Sequence, residues 1–422
     1  MKFFFVFITL LFFLFTNLAA QEDSLLDRDI DSLFDEPPPE TQVKEEPAKR
    51  ETRPVSILGS VRRRGLTLGA SFEFHGGLAP GWDARPWEFN GEEVYSHGQG
   101  VKMNASISLD AQMSEVFRAR TVVNFNIPSF SFELGDFFFD YNFFDKVFVR
   151  AGKYEHSWGI SPNYSFTNLL SRVPSEGPSG SSYVFKVDVP IGIGGVQALF
   201  MTRVNMMGGV IPEHRKDLAF GGKYNLAFRW ADFDLGIFYQ DEMATRGTFS
   251  VKTTIWDIEL YNEWLVAVST HQNNETSFAV NFGFGREFFN EKLDINGELF
   301  YNGEGNTYFY RPETEIREAE TSPFIEGFNI ALNLLYRFSG KGDIRFFTKL
   351  LYAPMQNSLQ LVPGFRLTPV SHIEIYAAVP MALGSKDGYY YNYTDDVNNL
   401  NRPFRVMFLV TLKGNVRAGY FY

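Results

Sequence analysis

The sequence contains no cysteine. A disulfide framework is therefore excluded, as is a lipid-modified cysteine anchoring the chain as a lipoprotein. Long apolar runs are also missing after the first twenty residues, since no later stretch approaches the roughly 20 residues that a spanning helix needs. Histidine is scarce, with only His75, His97, His156, His214, His271 and His372. No pair of them has metal-ligand spacing, no Ser and His arrangement resembles a hydrolase motif, and no glycine-rich phosphate loop follows a strand and opens a helix. Neither a metal, a cofactor nor an enzymatic activity is expected. Basic charge is short as well, with 39 Lys and Arg against 50 Asp and Glu, so nucleic acid is not an expected partner.

The chain opens with Met1 and Lys2, a nearly unbroken apolar run from Phe3 to Leu14, and small residues at Ala19 and Ala20 before Gln21. This is the pattern of a secretory signal peptide cut after Ala20. Losing residues 1–20 removes only Lys2, which leaves 38 basic against 50 acidic side chains, a net of −12. Half of that excess lies in Glu22 to Pro54, a proline-rich stretch with 11 acidic and 5 basic residues. Such a segment buries too little apolar area to offset its ordering entropy, so residues 21–54 are expected to form a disordered, acidic periplasmic arm. Within it, Asp31-Ser32-Leu33-Phe34-Asp35 reads either as a docking motif for a periplasmic partner or as incidental residues in a linker.

What the chain has in abundance is aromatic residues, 45 Phe and 20 Tyr among them, arranged with a period of two. In Asp217 to Trp230, Leu218, Phe220, Tyr224, Leu226, Phe228 and Trp230 alternate with mostly polar or small residues. The stripe recurs in Val101 to Asp110, Phe117 to Ile127, Phe328 to Phe338 and Phe404 to Leu412. Behind an export signal, this predicts an all-β fold, a transmembrane antiparallel up-and-down β-barrel over residues 55–422. Strands are expected near 65–75, 101–110, 116–127, 130–140, 146–154, 181–190, 193–204, 217–229, 232–242, 248–256, 257–268, 276–288, 292–303, 324–338, 343–353, 357–367, 371–381 and 403–422, which is 18 strands. Even-numbered junctions are all tight and most odd-numbered ones are long, matching short periplasmic turns and long extracellular loops. Two odd junctions, Pro128–Ser129 and Pro354–Gln356, are short, and 16 strands would remain if each marked a bend in one strand.

If the apolar stripe faces lipid, the intervening residues face the lumen. The charged pore-lining candidates are Lys102, Arg118, Arg120, Arg150, Lys223, Arg229, Asp294, Glu298, Arg337, Arg345, Lys349 and Arg405. Arg118, Arg120 and Arg150 form the expected basic cluster, on strands three and five. A wall of this kind reads either as a salt-bridge lattice that braces a blocked barrel or as the lining of an aqueous channel, for which about 18 strands leave room. Trp82 and Trp87, in GWDARPWEF, read as sugar-stacking faces or as interfacial aromatics.

Two segments carry a family resemblance. The stretch GKYEHSWGISPNYSFTNLLSR, through Gly152, Lys153, Trp158, Gly159, Asn168 and Leu169, resembles a segment after a strand in porin-like outer-membrane barrels, where the loop can fold inward. Folded inward, it would act as a constriction loop and bring His156, Trp158, Asn163, Tyr164 and Asn168 towards a solute; folded outward, it is an exposed loop. The terminus RAGYFY, with Tyr420 and Tyr422, resembles the aromatic membrane-insertion signal that bacterial outer-membrane barrels present to the barrel-insertion machinery, although most such chains end in Phe. The Phe-rich leader and the Leu-Phe-Asp arm resemble those of spirochaetal outer-membrane proteins. The resemblance implies a channel in the bacterial outer membrane of a diderm, surrounded by outer-membrane lipid, for passive diffusion of small hydrophilic solutes. An adhesin or ligand receptor with a plugged lumen is the alternative.

Overall fold

A computed structural model describes residues 65–421 other than 94, 97, 128, 155, 157, 165–181, 203–217, 241–243, 269–275, 304–325, 339–342 and 393–402. The leader, the acidic arm with Leu33 and Phe34, His97, Asn168, Leu169, His214, His271 and Tyr422 lie outside the described residues.

Alternating sequences produce eighteen long strands: β1 (Gly65–Leu78), β2 (Gln99–Gln112), β3 (Phe117–Ile127), β4 (Ser131–Phe143), β5 (Val147–Tyr154), β6 (Ser182–Ile191), β7 (Gly194–Thr202), β8 (Leu218–Ala227), β9 (Ala231–Gln240), β10 (Thr245–Ile255), β11 (Ile258–Val268), β12 (Thr276–Phe288), β13 (Leu293–Asn302), β14 (Gly327–Phe338), β15 (Asp343–Ala353), β16 (Ser358–Val370), β17 (Ile373–Ala378, continued by Met381–Gly384) and β18 (Met407–Phe421). Each pairs antiparallel with the next, and β18 pairs with β1 from Phe421↔Gly65 to Phe408↔Leu78. Closure leaves no long edge exposed, which is how a chain without disulfides saturates its backbone hydrogen bonds. The two short junctions are true turns, because β3 and β4 pair down to Asn126↔Ser131 and β15 and β16 down to Ala353↔Ser358. The count is therefore eighteen and not sixteen.

Three boundaries differ from expectation for local reasons. β8 ends at Ala227, where Phe228 N–H bonds the Ala231 carbonyl and closes a tight turn, so Arg229 lies exposed in that turn and not on a strand. β17 breaks at Val379–Pro380, where proline has no N–H to give. The last strand is preceded by a separate ribbon, Phe404–Arg405, which pairs with Gly81–Trp82.

The outward face is predominantly apolar, with Phe72, Ile107, Phe220, Leu235, Phe282 and Phe328 all exposed there. A β-bulge interrupts the alternation between Thr121 and Val123 on β3 and Phe137 and Leu134 on β4, and a second register shift lies between Leu367 and Val370 on β16. Leu134 and Phe137 then both point outward and two consecutive residues, Gly135 and Asp136, lie inside, which brings Asp136 to 3.7 Å from Arg120.

At one end the described connections are tight, and several place bulky residues in the left-handed conformation: Phe144 and Asp145 (φ 55° and 56°), Trp256 and Asp257 (52° and 61°), and Phe289 to Glu291 (55° to 65°). Primed turns match the twist of hairpin strands, but aromatic side chains seldom adopt this φ. At the opposite end, Trp82 packs 5.2 Å from the ring centroids of both Tyr95 and Phe404, so it is occupied by packing, whereas Trp87 is exposed. Arg85 grips Glu88, which also receives Lys386 and the Tyr391 hydroxyl, and ties the first connection to the last. The Arg85 guanidinium holds the Glu88 carboxyl down at about 2.

Candidate functional site

The connection after β5 turns into the barrel. Gly152 at the end of β5 has φ 139°, and a Cβ there would lie 2.0 Å from the Phe137 carbonyl oxygen, so only glycine allows the strand to approach β4 so closely. Beyond Tyr154, the described residues 156 and 158–164 run along the inner faces of β7 to β14, on the side of the wall opposite the exposed aromatics.

Three anchorages hold this segment. The first is Trp158, which is buried and donates Nε1–H to Gln197 Oε1 at 2.8 Å. Its ring lies edge-on to Phe238, over two residues without side chains: a Cβ on Gly221 would come within 2.9 Å of the ring and one on Gly236 within 3.4 Å. The second is Glu263 on β11, fully buried, which accepts Ile160 N–H at 2.9 Å and the Ser161 hydroxyl. The third is Glu298 on β13, only 3% exposed. Its carboxyl accepts Asn163 N–H and Nδ2–H at 2.9 Å each, Tyr164 N–H at 3.1 Å, Tyr261 O–H at 3.0 Å and Asn281 Nδ2–H at 3.0 Å. Asn333 Nδ2–H reaches Asn163 Oδ1 at 2.9 Å, and the Tyr164 ring stacks on Phe300 at 4.8 Å. Buried backbone N–H groups outside a sheet need acceptors, and two inward carboxylates supply them.

His156 begins the segment, with Nε2 3.2 Å from Gln197 Oε1. Burial, reinforced by Lys186, pushes its imidazole down to about 4. Lys186 and Asp188 of β6, Gln197 of β7 and Lys223 of β8 are the polar groups that act on it. The docked loop thus favours neutral His156, while a released loop would protonate near the ordinary 6.5. Docking is fully supported above pH 6.5 and weakens as pH falls from there to about 4. Unit conductance of the wild-type barrel is expected to rise across that window, and His156→Gln to abolish the rise; a rise that persists in the variant would assign it elsewhere.

The interior is consequently two-sided. Along β9 to β14 the inward residues Phe238, Leu265, Ala279, Asn281, Glu298 and Phe300 are buried. Along β2 to β5 charged side chains remain partly exposed in a ladder of alternating sign. Arg118 Nε bonds Asp110 at 2.9 Å, Arg150 grips Asp140 with two bonds of 2.6 and 3.0 Å, and Arg120 approaches Asp136. Those six side chains are 27–39% exposed. A second charged group lies on β15 to β18 and β1, where Arg345 pairs with Asp343, Arg366 with Glu374, and Lys413 with both Glu374 and Glu73.

The expected residues are thus divided. Arg118, Arg120 and Arg150 lie on one ladder, each beside an aspartate and so not as a free basic cluster. Lys102, Arg345 and Lys349 occupy inward positions on β2 and β15. Lys223 pairs with Asp234 at 2.7 Å, Arg337 caps the Glu291 carbonyl at 2.6 Å, Asp294 is inward near the tight-turn end of β13, and Glu298 holds the loop. Arg405 lies in the Phe404–Arg405 ribbon. His156, Trp158, Asn163 and Tyr164 come together in the inward segment. Tyr420 pairs with Leu66 in the closing ladder. Sequence reasoning missed Glu263, Asn281 and Gln197 as loop partners, Tyr261 as a donor to Glu298, and Gly221 and Gly236 as the seat of Trp158. Their only signal is inward parity on strands far along the chain. Among the described residues there is no group of three or more side chains suited to hold a metal ion.

No protein-family model matches the sequence, and no curated protein matches it. Among solved structures, the fold is similar to Pseudomonas aeruginosa OccK3 (OpdO) at 9% identity and TM-score 0.51, covering 83% of this chain and 96% of that one. It is similar to Pseudomonas aeruginosa OpdL at 7% identity and TM-score 0.51, covering 84% and 98%, and to Acinetobacter baumannii OccAB3 at 7% and 0.50, covering 83% and 99%. These neighbours are outer-membrane porins, and the likeness is one of fold. They lend no support to a spirochaetal origin.

Proposed function

We propose that this chain is a porin-like channel of the bacterial outer membrane that passes small hydrophilic solutes by diffusion. The observation that supports it is the two-sided interior: a loop pinned along β7 to β14 narrows the barrel, and partly exposed, paired charges remain on β2 to β5. The tight-turn end is periplasmic, the long connections are extracellular, and the apolar outer face meets lipid. His156, Trp158, Asn163 and Tyr164 belong to the constriction; Lys102, Arg118, Arg120, Arg150, Arg345 and Lys349 line the open side, with Lys223, Asp294, Glu298 and Arg337 under or near the loop. Charges of both signs give a path that hydrates solutes and tunes ion preference by local imbalance. Tyr420 and Tyr422 serve insertion, the acidic arm remains available to a periplasmic partner, and the reading involves no catalysis.

Single-channel recording of the purified full-length barrel in a planar bilayer, with graded non-electrolytes, tests the reading. Repeatable steps with a size cutoff are expected; silence from a folded barrel would transfer the argument to a plugged receptor. Selectivity gives the finer test. Arg150→Gln leaves Asp140 unpaired on the open side and is expected to move the reversal potential towards cations, and Asp140→Asn towards anions. Lys223→Gln, beside the loop, is expected to shift it less.

A further inference from the structure

One arginine stands on the lipid-facing side of the wall. Arg286 follows Phe282 and Phe284 in the outward register of β12, and its ladder neighbours are Ile258 on β11 and Ile295 on β13. The guanidinium carbon lies 4.8 Å from the ring centroid of Phe288. Among the described residues Arg286 makes no ion pair, and its Nε is buried without a hydrogen-bond partner. Asp257 and Glu291 sit in the adjoining turns, yet neither pairs with it.

A charge on this face is costly at the midplane and cheap near the interface. Arg286 is two residues from the end of β12, about 7 Å along the strand, which places it at the periplasmic rim. The turns beside it expose Trp256 (85%) and Phe289 (72%), both in the left-handed conformation. Aromatic residues seldom adopt this conformation, and such strain clusters at functional positions. Aromatic rings at headgroup depth, an apolar wall above them and an unpaired guanidinium between them match the three parts of a phospholipid.

We propose that Arg286 binds the phosphate of an anionic phospholipid in the periplasmic leaflet, with Trp256 and Phe289 at headgroup level and an acyl chain over Phe282 and Phe284. The planar fork of the guanidinium suits phosphate oxygens, and Phe288 holds it by its ring face.

Native mass spectrometry of the full-length barrel, released from micelles doped with phosphatidylglycerol and phosphatidylcholine, reads this out. The wild type is expected to retain phosphatidylglycerol preferentially. Arg286→Gln is expected to weaken that retention about tenfold, the scale of one charge-assisted hydrogen bond, and Arg286→Lys to restore part of it. Equal retention in wild type and Arg286→Gln would overturn the proposal, as would displacement of the lipid by millimolar inorganic phosphate, which would make this a free-anion site. Should Arg286→Gln not fold, Phe288→Leu is expected to weaken retention about threefold, and an unchanged value would again refute the site. Conductance does not depend on this rim, so failure here leaves the channel reading untouched.

Discussion

Glu298→Ala widens the channel. Three of the five donors that converge on this carboxyl come from the loop: Asn163 N–H, Asn163 Nδ2–H and Tyr164 N–H. A hydrogen bond to a charged acceptor contributes about 1.5–3 kcal/mol net, and a buried donor left without a partner costs a similar amount. Losing the carboxylate should therefore weaken docking of the loop by about 3 kcal/mol or more. The strand ladder uses only the backbone of Glu298 and not its carboxylate, so the barrel itself is expected to survive. Unit conductance is expected to step up and the non-electrolyte cutoff to move to larger solutes. Glu298→Gln should fall between, because one acceptor oxygen remains while its new N–H groups face the Asn281 and Asn163 amides. Wild-type conductance and cutoff in Glu298→Ala would show that this loop does not limit the pore.

Trp158→Ala acts at the other end of the same segment. Removing a buried aromatic costs about 3–5 kcal/mol when the site does not collapse, and a seat built from backbone at Gly221 and Gly236 has little to collapse with. The Gln197 amide oxygen would also lose its indole donor. Because Glu263 and Glu298 still hold Ile160 to Tyr164, the expected result is flicker between two conductance levels rather than a steady open state. Gly221→Val tests the seat from the opposite side: its Cβ would fall 2.9 Å from the Trp158 ring and should produce the same flicker with the tryptophan intact. Combined with Glu298→Ala, Trp158→Ala should give the largest steady conductance of the set, since both ends of one segment are then free. A quiet record in both single variants would locate the constriction elsewhere.

The barrel and its strand number were legible because the determining signal is local. Side-chain direction in a strand repeats every two residues, so stretches such as Leu218 to Ala227 or Phe328 to Phe338 announce both the strand and its lipid face without reference to anything distant. Turn length is equally local, and it sorted the two ends of the barrel. Where local chemistry intervened, boundaries moved: Pro380 stopped β17, and the bulge at Gly135 and Asp136 reversed parity within β4.

Loop direction and charge pairing were decided only in three dimensions. The partners of Ile160 to Tyr164 lie more than 100 positions downstream, at Glu263 and Glu298. Glu298 reads in the sequence as one more pore-lining acid; it becomes a loop anchor because the closed sheet turns its inward carboxyl to the segment after β5. Arg118, Arg120 and Arg150 likewise read as a basic cluster until register sets each beside Asp110, Asp136 or Asp140. By itself the sequence determined an alternating, hairpin-connected wall with a polar interior, because backbone geometry imposes that period on neighbours along the chain. Which interior groups meet, and therefore where the channel is filled and where charge remains accessible, depended on closure of β18 onto β1, which alone brings distant strands face to face.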